Sequence, residues 1–192
     1  MIIGLTGPMA AGKDEVAKIL RRRGAAVINV DSLAHQLYPP QSSVWQELIK
    51  AFGSRILNRG GEINRQKLGE IVFADREQLR ILNSIVHPQL KNKVVSEINS
   101  CQLLAVSCQL IVINAAVLKE IGLIDLVDKV WVVIAPQAVR LKRLIKAGYT
   151  KKEAQQRMKA QLPLAEYLAI ADVVIKNDGT LKQLNAKVQA SL

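Results

Sequence analysis

Residues 1–14 read MIIGLTGPMAAGKD, and the rest of the chain is interpreted outward from them. Ile2, Ile3, Gly4 and Leu5 form a short apolar run, which predicts a buried strand. Gly7-Pro8-Met9-Ala10-Ala11-Gly12-Lys13 follows, after which Val16, Ala17, Ile19 and Leu20 fall at helical spacing. A glycine-bracketed loop between a strand and a helix is the context that a phosphate-binding loop requires. Glycine lets the main chain turn with positive φ and leaves room for a phosphate beside it. Loop amides and the helix N-terminus then direct partial positive charge at the anion. Lys13 adds a full charge for the outer phosphates. Such motifs ordinarily end in Ser or Thr, where this chain carries Asp14 followed by Glu15. The Asp14 carboxylate is either an oxygen ligand for Mg²⁺ or a cap on the helix.

The 192 residues are 49% hydrophobic and 22% charged, which suits one α/β domain with a sizeable core and a small insert. Aromatics make up 4%, so the core is aliphatic. A net charge of +11 suits an anionic partner, a nucleotide or a nucleic acid, and equally a solvated basic surface. The basic residues are scattered, and no zinc-finger or RNA-recognition signature accompanies them, which argues against nucleic acid as the main partner. Cys101 and Cys108 have neither CxxC nor metal-ligand spacing, and read as reduced thiols of a cytosolic protein. No leader peptide is expected. The longest apolar stretch, residues 103–118, is interrupted by Ser107, Gln109 and Asn114 and is too short and polar to span a bilayer. A cytoplasmic location with no membrane partner is the expectation.

Arg21-Arg22-Arg23-Gly24 predicts a basic last turn and a glycine stop for the first helix. Residues 25–30 predict a second strand, with Asp31 at its carboxyl end before a helix beginning at residue 32. Ligands of open α/β sheets sit beyond that edge, so Asp31 is a candidate for chemistry as well as for capping. Pro39-Pro40 ends this helix. Helices are then expected over residues 43–52 and 64–73. Asp75–Gln78 has capping-box spacing for a long helix that Pro88 should kink or restart and that ends near residue 99. This helical stretch is too long for a simple crossover and reads as an acceptor-binding insert. Residues 110–114, 129–135 and 171–175 predict three more strands. Pro136 opens a helix carrying Arg140, Lys142 and Arg143, and Thr150-Lys151-Lys152-Glu153 opens another as a capping box. These two basic helices read either as a lid over phosphates or as ordinary solvated helices. Strands alternating with helices imply a parallel sheet covered on both faces.

The ordered motifs resemble those of the dephospho-CoA kinase family. They comprise the opening GLTG and GK, NVDSLAHQL around Asp31, Asn64-Arg65, Leu68-Gly69, Val72-Phe73 and Ile85-Val86-His87-Pro88. Leu118, Glu120, Arg143, Glu153-Ala154, Arg157, Gln161, Ala171-Asp172, Ile175 and Asn177-Asp178-Gly179 continue the series. The resemblance covers nearly the whole chain. It implies a three-layer α/β/α fold with a five-stranded parallel sheet, a helical insert over about residues 32–100 and a small helical lid over about residues 140–165, all in one kinase domain. The implied reaction is transfer of a phosphoryl group from ATP, with Mg²⁺, to the 3′-hydroxyl of dephospho-CoA, the last step of coenzyme A synthesis. Carried over by position, Gly7, Ala10, Ala11, Gly12, Lys13, Asp14 and Glu15 would hold the ATP phosphates. Asn177 and Gly179 would lie near adenine. Asp31 would accept the hydroxyl proton, with Lys13 and Arg143 stabilising the transferred charge. Arg65 and His87 would shape the acceptor pocket, Arg157 would belong with Arg143 to the lid, and Asp14 would meet the metal. The chain departs from the family pattern at Asp14, at Asn29, at residues 116–120 and at Ala147. Another small-molecule kinase on the same core, or an ATP-binding protein with weakened catalysis, is the alternative reading.

Overall fold

Five runs of β-branched and aliphatic residues build the sheet; the three central ones are buried along most of their length, as a parallel sheet covered on its faces requires, and the two edge strands are only partly buried. In the computed structural model, which describes residues 1–104 and 109–192, these are β1 (Ile2–Thr6), β2 (Ala26–Asn29), β3 (Ile111–Asn114), β4 (Lys129–Ile134) and β5 (Val173–Lys176). All neighbours pair in parallel, in the order β2-β3-β1-β4-β5. Register puts Leu5 of β1 between Asn114 of β3 and Trp131 of β4. Every residue of β3 is buried. Two carboxylates tie strand starts together: Asp128 accepts from the Ile2 amide and Asp172 from the Val130 amide, each at 2.7 Å.

The chain divides into two units, residues 1–29 with 98–192, and residues 30–97. In the first, α1 (Lys13–Arg22) buries Val16, Ala17, Ile19 and Leu20. These pack with Ile3, Leu5, Val112, Trp131 and Val133 of the sheet and with Leu184 and Val188 of α9 (Leu181–Ala190). The helix stops as its sequence predicts: Arg23 caps it and Gly24 turns with φ 91°. Three more helices of this unit are α6 (Gln137–Lys146), α7 (Lys151–Lys159) and α8 (Leu164–Ala169). The Thr150 capping box is formed in full, and Thr180 with Gln183 forms a second at α9. The sequence reading contained no α8, although Pro163 followed by Leu164, Tyr167 and Leu168 carries the spacing of a short helix.

Residues 30–97 hold α2 (Val30–Ala34), α3 (Ser43–Phe52), α4 (Arg65–Ala74) and most of α5 (Arg76–Leu104). Val44, Leu48, Phe52, Ile56, Ile63, Leu68, Val72 and Val86 form their own apolar core. Ser42 and Asn64 cap α3 and α4 by accepting from the Trp45 and Lys67 amides. Three local expectations need correction. The Asp75 carboxylate accepts from the Glu77 amide rather than forming the expected box with Gln78. The helix after it does not restart at Pro88, and it reaches Leu104 rather than ending near residue 99. A single missing N–H removes one bond of a helix this long, and its remaining bonds carry it through. Finally, the helix after β2 starts at Val30, so Asp31 lies inside its first turn and not at its cap. No described helix is long and apolar enough to cross a membrane. Cys101 lies half-buried on α5, and Cys108 falls outside the described residues.

Candidate active site

The glycine-bracketed loop takes its shape from three left-handed turns: Gly7 at φ 138°, Ala10 at φ 60° and Gly12 at φ 102°. Glycine is needed at both ends for space as well as for φ. A Cβ at Gly7 would run into the Val133 carbonyl, and one at Gly12 into the Asn177 side-chain nitrogen. Ala10 tolerates a backbone that L-residues avoid, at a cost of about 1 kcal/mol. Gly12 is also the N-cap of α1, and it supplies no side-chain cap. The Glu15 and Val16 amides donate to the Gly12 carbonyl, each at 3.2 Å, and the helix opens at the loop with its positive dipole end, where an anion is favoured.

Distant side chains hold this loop. Arg143 of α6 donates from Nη1 to the Ala10 and Ala11 carbonyls, each at 3.0 Å, and from Nη2 to the Asn177 carbonyl at 3.2 Å. Buried Asn177, just past β5, donates from Nδ2 to the Ala11 carbonyl at 2.8 Å. Gln161, between α7 and α8, accepts from the Met9 amide through Oε1 at 2.8 Å. Lys13 donates from Nζ to the Gly7 carbonyl at 2.9 Å and to that of Pro8 at 3.5 Å. Asp14 accepts from Asn114 Nδ2 through Oδ1 at 2.8 Å. The capping alternative for Asp14 is thus not what its carboxylate does here.

Ala10, Gly12, Lys13, Asp14, Glu15, Asn177 and Gly179 from the expected nucleotide set, together with Arg143, line a single hollow of about 360 Å³. Gly7 and Ala11, also of the loop, are buried. Beside the hollow, Asp178 is paired with Lys187 at 2.8 Å, and this bond holds its carboxyl below the usual range. Glu15 pairs with Lys18 at 2.7 Å. Arg157 of α7 stacks on Tyr149, its guanidinium 4.9 Å from the ring centroid, and does not line this hollow. Sequence reasoning missed two participants. The sequence places Asn114 at the end of a strand and Gln161 at the end of a helix and in a family motif, and gives neither a role at the loop. Asn114 had a signal of its own, an amide closing a strand that is otherwise Ile-Val-Ile.

Within residues 30–97, a second hollow of about 470 Å³ is lined by His35, Tyr38, Glu62 and Arg65 with the two prolines 39 and 40. Arg65 donates to the His35 carbonyl at 3.0 Å and sits 5.9 Å from the Tyr38 ring centroid. Burial pushes the Tyr38 hydroxyl above its ordinary pKa, and Arg65 pulls it part of the way back. His87 lies half-buried on α5 and is not among the residues lining this hollow. Asp31 is exposed in the first turn of α2, two residues after β2 ends.

The dephospho-CoA kinase family model matches residues 1–183. The dephospho-CoA kinase of Carboxydothermus hydrogenoformans is 40% identical over 188 residues, covering 97% of this chain and 90% of that protein. Among solved structures, a Thermus thermophilus protein superposes with a TM-score of 0.82 at 29% identity, covering 100% of this chain and 95% of the other. Dephospho-CoA kinase from Campylobacter jejuni gives 0.71 at 25% identity, covering 99% and 94%. A glycine loop lined by lysine, a parallel five-stranded sheet and a family match from the first residue to residue 183 converge, and the chain belongs to the dephospho-CoA kinase family, ATP-dependent kinases of coenzyme A biosynthesis.

Proposed function

We propose that ATP occupies the hollow at the glycine loop and that the unit of residues 30–97 carries dephospho-CoA, whose 3′-hydroxyl receives the γ-phosphoryl group. The observation that carries the nucleotide assignment is the convergence of Gly12, Lys13, Asp14, Arg143, Asn177 and Gly179 on one hollow at the N-terminus of α1. In this reading Lys13 exchanges the Gly7 carbonyl for β- and γ-phosphate oxygens, and the loop amides hold the same phosphates. Arg143 keeps the loop in shape and adds positive charge at its rim, its forked donors suiting carbonyls and phosphate oxygens alike. Asn177 and Gly179 border the nucleoside end. Asp31 accepts the hydroxyl proton late in the transfer, a carboxylate being sufficient for a group whose acidity rises as the new P–O bond forms. Arg65 receives the anionic part of the acceptor, and His87 supports that pocket from α5. The segment from α6 through α7, with Arg143 and Arg157, acts as the lid that keeps water from the phosphoryl group.

The residues at the loop fit a divalent cation. Asp14 lines the hollow beside Lys13, and its carboxylate is the kind of hard oxygen donor Mg²⁺ prefers, phosphate oxygens and water supplying the rest of the shell. When bound, the ion neutralises charge on the transferring phosphoryl group. Among the described residues no group of three or more His, Cys, Asp or Glu side chains is placed to hold a metal, so Asp14 is the protein ligand assigned to it.

The test is direct. Incubated with ATP, Mg²⁺ and dephospho-CoA, the protein forms coenzyme A, identified by a product heavier by one phosphoryl group and carrying it on the ribose 3′-oxygen. Folded protein that binds ATP yet leaves dephospho-CoA unchanged overturns the proposal.

A further inference from the structure

Three apolar residues precede Asn114 in β3, and all four positions of the strand are buried. Asn114 itself is 5% exposed. A buried amide costs free energy unless it is hydrogen-bonded, and an apolar residue would serve the sheet better. Its Nδ2 donates to Asp14 Oδ1 at 2.8 Å, across 100 residues of sequence. The position of the donor is fixed by the sheet, because the Asn114 backbone pairs in register with Leu5 of β1 and with Asn29 of β2. The acceptor, in contrast, is an exposed side chain in the first turn of α1, and Gly12 rather than Asp14 caps that helix.

From this arrangement we infer that Asn114 is a positioning residue for the metal ligand: its amide fixes the Asp14 carboxylate so that one oxygen stays turned to the nucleotide hollow. The inference rests on the reading of Asp14 as the Mg²⁺ ligand. Two physical points favour it. A carboxylate on a freely rotating side chain needs a brace that the shorter hydroxyl of Ser or Thr, held close to the main chain, does not. The brace is also neutral. A Lys or Arg at position 114 would orient Asp14 but cancel its charge and compete with the cation. An amide orients it and leaves the charge intact. Groups that orient a ligand in this way typically change metal affinity by 10–100-fold when removed.

The experiment compares ATP affinity in EDTA with ATP affinity in saturating Mg²⁺, by calorimetry, and takes the ratio as the metal's contribution. Asn114→Leu, similar in size but without the donor, is expected to lower that ratio about tenfold while leaving ATP affinity in EDTA nearly unchanged. Asp14→Asn lowers the ratio and tightens metal-free ATP binding, because it also removes a negative charge beside the phosphates. In the Asp14→Asn background, adding Asn114→Leu should change the ratio no further, since the group it positions is gone. An equal loss in both backgrounds overturns the inference, because Asn114 would then act through something other than Asp14. A ratio unchanged by Asn114→Leu but lowered by Asp14→Asn overturns it too, and leaves Asp14 as the ligand. A ratio unchanged by Asp14→Asn removes the ligand reading and the inference with it. Thermal melts report whether the Leu variant folds. Should it not, Asn114→Ser keeps a donor on a shorter side chain and should give an intermediate ratio, and an unchanged ratio there overturns the inference.

Discussion

The glycine loop and the hollow of residues 30–97 are built on opposite principles. In the proposed reading the loop would hold phosphate through main-chain groups, and distant side chains hold that main chain still. Arg143, Asn177 and Gln161 each bond to loop backbone from more than a hundred residues away. The second hollow presents side chains, His35, Tyr38, Glu62 and Arg65, on a unit whose capping and turn bonds are local. A triphosphate looks the same in every ATP enzyme, so a backbone cradle suffices for it. An acceptor has to be told apart from others, and only side chains offer the variety for that. Substitutions should therefore separate cleanly, moving either nucleotide handling or acceptor handling.

The largest effect is expected at Asp31. Asp31→Asn keeps the size of the side chain and loses its capacity to take a proton. Because Asp31 lies within α2 rather than at its cap, no capping difference obscures the result. The kcat should fall on the order of 10²–10⁴-fold, the range for a positioned acid–base group, with KM for ATP and the melting temperature little changed. Steady-state kinetics with a thermal melt checks this, and near-normal kcat would end the catalytic role of Asp31.

Next comes Arg143→Ala. Three carbonyls lose a charged donor at once, and a hydrogen bond to a charged group contributes about 1.5–3 kcal/mol. The loop should lose its fixed shape, so KM for ATP rises at least tenfold and the melting temperature falls, while KM for dephospho-CoA moves far less. Arg143→Lys should recover only part of the loss, because a compact ammonium lacks the planar fork by which two nitrogens reach the Ala10 and Ala11 carbonyls on one side and that of Asn177 on the other. Full recovery by Lys would show that charge, not the fork, is what the loop needs.

Arg65→Ala tests the other side of the comparison. Its KM for dephospho-CoA should rise about tenfold, the worth of one charged contact, with KM for ATP within about twofold by the same measure. A rise in KM for ATP of equal size would break the separation between the two regions.

That separation also explains what could be read in advance. The strand, loop and helix at the N-terminus were legible because glycine spacing is itself the physical requirement. The helix start at Thr150 was legible for the same reason, since one oxygen on one residue does the capping. The partners of the loop were not. Nothing local to Asn114 or Gln161 says that a strand end and an interhelical turn arrive at residues 14 and 9. The strand order β2-β3-β1-β4-β5 creates those meetings, and no local pattern encodes it. Pro88 misled for a related reason. Local chemistry argues for a kink or a restart, and the many remaining bonds of a 29-residue helix carry it past Pro88 without a restart.

The smallest expected effect concerns two tyrosines, Tyr38 at the second hollow and Tyr167 on α8. Burial lifts both hydroxyls above the ordinary value of 10.0. At Tyr38 the nearby Arg65 opposes the rise. At Tyr167 the Glu120 carboxylate adds to it, and Arg140 works against both. Tyr167 is also the more buried, at 4% exposure. The sign follows from linkage. As pH climbs past 10 the unfolded chain releases the tyrosine proton and the folded one retains it, so the native state loses stability through the window above 10. Phenylalanine has no proton to release. The melting temperature of Tyr167→Phe minus that of the unmodified protein should therefore be flat from pH 7 to 9 and rise as pH passes 10. Tyr38→Phe should show the same rise, but smaller, because Arg65 stabilises its phenolate. Melts taken in steps of pH across this range decide it. A larger alkaline gain at Tyr38 than at Tyr167 would mean that Arg65 does not hold its place over the Tyr38 ring in solution, and the side chains of the second hollow would then be less fixed than their geometry implies.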